Sequence, residues 1–253
     1  IWTLRRSYES RLVRLDVGCG WLPPQWLFAE GVRTALTRVA RKPSAYAGRY
    51  GSVYGLRALR RQITMRLSQQ AIDCTEEQVV LTQGASQGLE LCINVMAQPG
   101  DCVLVDDPCY PYVLAMLRAR GVRPVGVPRT QSGPDVGALN VIAAATNPRF
   151  FITNTTCQNP TGTTTSAQAA HEVLVAARVH GFAIIEDDIF SELAYDHATS
   201  LASLDRLRDV VYIGSFSKTI APNLRVGYVV ASEERAQQIA SLKNVLSLSS
   251  SEL

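Results

Sequence analysis

A lysine and an arginine stand seven residues apart in Ser-Phe-Ser-Lys218-Thr-Ile-Ala-Pro-Asn-Leu-Arg225. An amine that can bond to a carbonyl, near a guanidinium that can fork onto a phosphate, has chemical use and little packing use. Upstream, Asp187-Asp188 closes an apolar run, where a carboxylate is costly unless it meets a cation. Asn159-Pro160 is a turn signal whose amide could donate to a ligand oxygen. Gln83-Gly84-Ala85-Ser86-Gln87-Gly88 is a small-residue turn that runs into a helical pattern, where backbone amides and the helix dipole suit an anion. Alone, such a helix entry is more often structural. Tyr110, between Pro108 and Pro111, could present a flat ring to an aromatic ligand; alone, it reads as a turn tyrosine packing on its own domain.

These groups need elements to position them. Short apolar, β-branched runs predict strands over 79–82, 102–105, 122–127, 150–153, 183–186, 210–213 and 226–231. Helical patterns fall between them, over 86–97, 111–120, 135–146, 166–180 and 233–246. The alternation predicts an α/β fold, a mostly parallel seven-stranded sheet with helices on both faces. Ligands of such sheets bind beyond the carboxyl ends of the strands. Five of these runs end in the small-residue turn, the Tyr110 turn, Asn159, Asp187 and Lys218 with Arg225. That set matches a flat, phosphorylated aromatic aldehyde with a cationic ring, the description of pyridoxal 5′-phosphate (PLP).

Residues 1–75 read differently, as helical stretches near 26–41 and 55–70 joined by a Pro/Gly/Tyr-rich loop over 43–54. The helix over 233–246 carries Ile239, Leu242 and Leu246 on one stripe with Val245 beside it, a face that wants cover.

The motifs Ser-Phe-Ser-Lys-(six residues)-Arg, Asn159-Pro160-Thr161-Gly162 and Asp187 resemble those of the fold-type-I, PLP-dependent class I/II aminotransferases, over roughly residues 45–235. Arg-Tyr-Gly-Ser-Val-Tyr-Gly-Leu-Arg and Tyr-Ile-Gly-Ser-Phe-Ser-Lys-Thr-Ile-Ala-Pro-Asn-Leu-Arg-Val-Gly are most similar to the MocR group of GntR-family transcription regulators, in which an aminotransferase-like domain follows a winged helix. The resemblance implies that Lys218 is the Schiff-base lysine and that Asp187 keeps the ring nitrogen protonated. It implies that Asn159 donates to the phenolic oxygen and that Tyr110 stacks on the ring. Gly84, Ala85, Ser86, Ser215, Ser217 and Arg225 would surround the phosphate, and Tyr50 would reach the phosphate of a second subunit in a homodimer. The implied activity is amino-group transfer between an amino acid and a 2-oxo acid; the alternative is a PLP-dependent effector-sensing domain of a MocR-type regulator.

Relatives often place a tyrosine two or three residues after the ring-nitrogen acid; Ile189 and Phe190 stand there, which implies one hydrogen bond fewer to the phenolic oxygen. The resemblance also implies a C-terminal small domain, bearing the arginine for the substrate carboxylate, that is largely absent, and no winged helix before residue 45. The expected division is an N-terminal segment of the small domain or arm over 1–45 and a PLP-binding large domain over 46–253. The serine-rich end at 247–251, with nothing to cover the preceding helix, reads as a terminus cut from a longer protein.

Composition agrees with a soluble α/β domain: 253 residues, 47% hydrophobic, 19% charged, net charge +3. That charge is too small to imply nucleic-acid binding by this segment, and the pairs Arg5-Arg6, Arg41-Lys42 and Arg60-Arg61 read as solvated surface. No apolar run nears the roughly 20 residues of a membrane span, and residues 1–11 lack the apolar segment of a signal peptide. Six cysteines show no metal-ligand spacing and read as buried thiols of a cytoplasmic protein. No GxGxxG or GxxxxGK motif marks a nucleotide site. The implied small-molecule partner is an amino acid or amine.

Overall fold

A computed structural model describes residues 22–41, 50–194 and 199–252. Eight strands form one sheet: β1 (Val79–Thr82), β2 (Cys102–Asp107), β3 (Arg123–Thr130), β4 (Gly133–Pro134), β5 (Phe150–Thr153), β6 (Ala183–Asp187), β7 (Val210–Ser215) and β8 (Gly227–Val230). The seven expected strands are all present, and the two-residue β4 is an addition that pairs with the end of β3. Spatial order is β1-β8-β7-β6-β5-β2-β3-β4. Strands β3, β2, β5, β6 and β7 run parallel, while β8 is antiparallel to both β7 and β1. β1 therefore points the same way as β7, and six carboxyl ends share one edge with the amino end of β8.

The described helices of the sheet region are α2 (Arg57–Ser68), α3 (Gly84–Met96), α4 (Pro111–Ala119), α5 (Val136–Thr146), α6 (Ala167–His180), α7 (Leu201–Asp205) and α8 (Glu233–Ser247), preceded by α1 (Ala29–Ala40). Side-chain oxygens start several of them: Asp135, Ser166, Ser200 and Ser232 each accept a first-turn amide. Asn147 and Gly181, both left-handed, end α5 and α6. The five-residue α7 has no periodicity to announce it.

Strand alternation divides the core into two layers. Leu81, Leu104, Phe151, Ile184, Tyr212 and Val230 face α2, α5, α6 and α7. Val80, Val103, Phe150, Ile185, Val211, Ile213 and Val229 face α3, α4 and α8. Phe150 and Phe151 are fully buried, one in each layer. Each stabilises the fold by roughly 1.5–3 kcal/mol relative to exposure.

Two sequence expectations change here. Arg60 is buried, because its guanidinium donates to the carbonyls of Gly55 and Glu76 and lies over the Tyr54 ring; Arg61 and Arg41 are exposed as expected. The buried face of α8 is Ala236, Ile239, Ala240 and Lys243; of the stripe expected to want cover, Ile239 is buried and Leu242 half-buried within this domain, while Val245 and Leu246 are exposed. By contrast α1 buries no side chain, and Trp26 and Phe28 before it are exposed. The five described cysteines are free, Cys92 and Cys102 buried and Cys74, Cys109 and Cys157 half-buried. Burial pushes the Cys92 thiol up to about 12 and those of Cys74 and Cys109 up to about 11. Residues 1–21 and 42–45 of the expected 1–45 segment, and residues 43–49 of the 43–54 loop, lie outside the described residues, as do Arg5-Arg6, Lys42 and Cys19. Among the described residues no helix is long and apolar enough to cross a membrane, and no cluster of side chains suits a metal ion.

Candidate functional site

The antiparallel β8 decides how the anion-binding groups meet. Gly227, its first residue, pairs with Thr82 of β1 and Ser215 of β7. Arg225, two residues earlier, thus lies between the carboxyl ends of two strands far apart in sequence. Its backbone is left-handed (φ +51°), and its Nη2 donates to the Gln83 carbonyl at 3.2 Å. Its Nη1 donates to Ser217 Oγ at 3.4 Å and to the Pro222 carbonyl at 3.5 Å. Ser215 Oγ donates to Ser217 Oγ at 3.0 Å and accepts the Ser217 amide at 3.1 Å. Gly84 opens α3 at φ +77°, and a Cβ there would stand 2.8 Å from Arg225 Cζ. Gly84, Ser215, Ser217 and Arg225 are therefore in one place, with Ala85 and Ser86 in the first turn of α3 beside them. Helix-start amides, hydroxyls and a guanidinium on one patch suit an anion.

Three consecutive acids end β6 and its extension, and alternation gives them different tasks. Glu186, fully buried, accepts from Thr155 Oγ1 at 2.8 Å, Ser200 Oγ at 2.8 Å, and the amides of Leu201 at 3.0 Å and Ala202 at 2.8 Å. Its oxygens are consumed in anchoring α7. Asp188 Oδ2 accepts the Tyr212 hydroxyl at 3.2 Å. Asp187 points to the other face of the strand, the face of α3 and α4. Its Oδ1 is buried and has no hydrogen-bond partner. Burial, reinforced by Asp188 and opposed by Asn154, pushes the Asp187 carboxyl up to about 7. An open buried carboxylate oxygen of this kind suits a cationic N–H donor. β6 extends one residue further than the sequence suggests, so Asp187 sits on the ladder opposite Ile213.

Lys218 lies in the turn that follows β7, and its Nζ stands 5.8 Å from the centroid of the Phe190 ring. A cation over an aromatic face is held by the ring quadrupole. Phe190 thus offers its ring face to the lysine ammonium. Tyr110 is extended, precedes Pro111 at the start of α4, and is half-buried beside Tyr112, with ring centroids 5.2 Å apart. Asn159 is half-buried in the loop after β5. That loop is tied to the Tyr110 turn by Gln158, whose Nε2 donates to the Pro108 carbonyl at 2.7 Å. Tyr50 stands apart, 81% exposed.

Sequence reasoning passed over four supporting side chains. Gln158 is buried and also accepts the Thr161 amide, at 3.0 Å. Asn154 Nδ2 donates to the Asp187 carbonyl at 2.6 Å. Asp106 and Arg129 form a buried ion pair at 2.9 Å, and Asp106 also accepts from Thr153 Oγ1 and the Asn154 amide, at 3.0 and 3.1 Å. Burial outweighs the Arg129 charge and raises the Asp106 carboxyl to about 6. The pair runs across β3, β2 and β5 to the residue that holds Asp187. Its one sequence signal was the carboxylate at the end of a buried strand, which required a cation somewhere.

Comparison with known proteins adds an independent line. The family model described as aminotransferase class I and II matches residues 30–252. The 2-aminoadipate transaminase of Thermus thermophilus is 32% identical over 230 residues, 88% of this chain and 57% of that protein. The HTH-type transcriptional regulator YjiR of Escherichia coli is 32% identical over 217 residues, 85% of this chain and 45% of the regulator. The chain thus spans about half the length of these curated relatives. Among solved structures, Thermus thermophilus LysN, an α-aminoadipate aminotransferase complexed with N-(5′-phosphopyridoxyl)-L-leucine, superposes with a TM-score of 0.86 at 28% identity, covering 100% of this chain and 68% of that one.

Proposed function

The chain belongs to the aminotransferase class I and II family, and on that premise we propose that its site holds PLP for amino-group transfer between an amino acid and a 2-oxo acid. When bound, PLP supplies an aldehyde that takes up the amine and a ring that draws electrons from the substrate carbon. The observation that carries the reading is the open, buried oxygen of Asp187 at the end of β6, one strand from the turn that bears Lys218. A carboxylate left without a partner in the interior is a poor structural choice and a good acceptor for a protonated ring nitrogen.

Each residue then has a task. Lys218 would hold the cofactor through its side-chain amine, and that amine when free would move a proton at the substrate α-carbon. Asp187 holds the proton on the ring nitrogen. Asn159 donates to the phenolic oxygen, and Tyr110 covers one face of the ring. The amides at Gly84, Ala85 and Ser86, the hydroxyls of Ser215 and Ser217, and the fork of Arg225 take the phosphate. Tyr50 serves the phosphate of a second subunit in a homodimer. Residues 46–253 form the PLP-binding large domain, and residues 1–45 belong with the arm or small domain.

A second reading rests on the 32% identity to a transcription regulator, equal to that with the transaminase. In it, the same PLP site senses an amino acid or amine and switches DNA binding elsewhere in the protein. One experiment addresses both: the full-length protein, loaded with PLP, is given amino donors with a 2-oxo acid, and new amino acid is measured. Sustained turnover supports the transferase. A spectral response to amino acids without turnover, coupled to altered DNA affinity, supports the sensor. No response of a PLP-loaded protein to any amine would overturn both.

A further inference from the structure

The segment between Tyr50 and α2 is gripped through three successive carbonyls. Val53 O accepts from Lys243 Nζ at 2.8 Å. Tyr54 O accepts the Leu81 amide of β1 at 2.9 Å. Gly55 O accepts from Arg60 Nε at 3.3 Å. Two of the three donors are buried cations, from α8 and from α2. Lys243 is fully buried on α8, and desolvation draws its pKa down to about 8. A methionine or leucine would fill that space without the cost of burying an ammonium. Arg60 is buried as well, with its guanidinium 5.5 Å from the centroid of the Tyr54 ring. Gly55 adopts φ +93° against Leu81, where a Cβ would stand 2.6 Å away, so this stretch of backbone has little room to move. Upstream the Ser52 amide donates to Glu252 Oε1 at 3.2 Å. Beyond that base Tyr50 projects into solvent, 81% exposed.

A rigid base under an exposed tyrosine is a device for presenting that tyrosine outward. We propose that Lys243 and Arg60 are positioning residues for the cofactor phosphate, acting through the carbonyls of Val53 and Gly55 on the arm that presents Tyr50 to a second subunit. The inference rests on the reading of Tyr50 as a phosphate ligand.

The test uses the full-length protein and measures the dissociation constants of PLP and of phosphate-free pyridoxal, with melting temperatures, for Tyr50→Phe, Lys243→Met and the double variant. Losing one hydrogen bond to a charged phosphate weakens PLP by about tenfold. Tyr50→Phe and Lys243→Met are each expected to show about that loss for PLP and little for pyridoxal. Lys243→Met should add less than about twofold in the Tyr50→Phe background, because both act through one contact. Arg60→Lys, which keeps the cation but loses the fork, should repeat the pattern and decides the matter if Lys243→Met does not fold. Tyr50→Phe weakening PLP while Lys243→Met and Arg60→Lys only lower the melting temperature would overturn the proposal and leave the reading of Tyr50 intact. Unchanged PLP affinity in Tyr50→Phe would remove that reading and the proposal with it.

Discussion

Gly227 and Gly84 meet backbone against backbone: a Cβ added to Gly227 would stand 2.6 Å from the carbonyl carbon of Gly84 and 2.7 Å from the Ala85 nitrogen. This contact lets the start of β8 press against the start of α3, and it brings Arg225 to the helix entry. Gly227→Ala must push main chain aside, and it should destabilise the protein by roughly 1–3 kcal/mol in denaturant unfolding. Gly84→Ala meets the movable end of Arg225 instead, although its φ of +77° adds strain. It should cost less stability and displace the guanidinium, weakening PLP by about tenfold while leaving phosphate-free pyridoxal nearly unaffected. Equal weakening of both ligands would speak against a phosphate cradle.

Lys218 is expected to be the one residue that borohydride fixes to PLP. In the full-length protein, peptide mass analysis after reduction should find the label on Lys218. Lys218→Ala should lose both the visible band and the label, and lower any transfer rate by about 100-fold or more. A labelled Lys218→Ala protein would refute the assignment.

The Asp187 carboxyl predicts a direction of pH dependence. Its folded pKa is raised from 3.8 to about 7, so the proton is held more tightly in the folded state. Its stabilising contribution is complete below the unfolded value and is lost as pH rises through about 7. Melting temperature of the cofactor-free protein should therefore fall between pH 5 and 8, in part through Asp187; Asp106 and Glu186, also raised, act in the same sense. Asp187→Asn should remove the Asp187 share, so that the parent–variant difference changes with pH. With PLP loaded, a cationic ring nitrogen favours the ionised acid and the decline should be shallower. A parent–variant difference that stays flat from pH 5 to 8 would count against the buried, open carboxyl.

The Asp106–Arg129 pair should be strongly coupled. Arg129→Met leaves a carboxylate buried without its cation and should cost about 3–5 kcal/mol. Asp106→Asn with Arg129→Met should recover a good part of that loss. A cost for Arg129→Met of under about 1 kcal/mol would mean that Thr153 and the Asn154 amide satisfy Asp106 by themselves.

Much of this protein was legible from residue order alone. Seven strands and the helices between them, except the short α7, follow from local apolar runs and 3.6-residue patterns. Residue type at strand ends marks Lys218, Asp187, Asn159 and Arg225 as candidates, and the family membership agrees with the motifs that contain them. Tertiary structure decided what depends on pairing across distance. The antiparallel direction of β8 puts Arg225 beside Gly84, although 141 positions separate them in the chain. That Glu186 spends its oxygens on α7 while Asp187 turns to the face of α3 and α4 depends on which face of β6 meets α7, and so on Ser200, which is not local. Arg60 and Lys243, charged residues that local patterning assigns to solvent, are buried because carbonyls from the 53–55 segment and the Glu76 carbonyl lie where their side chains end. Local sequence records what a residue can donate or accept; only the folded chain supplies the partner.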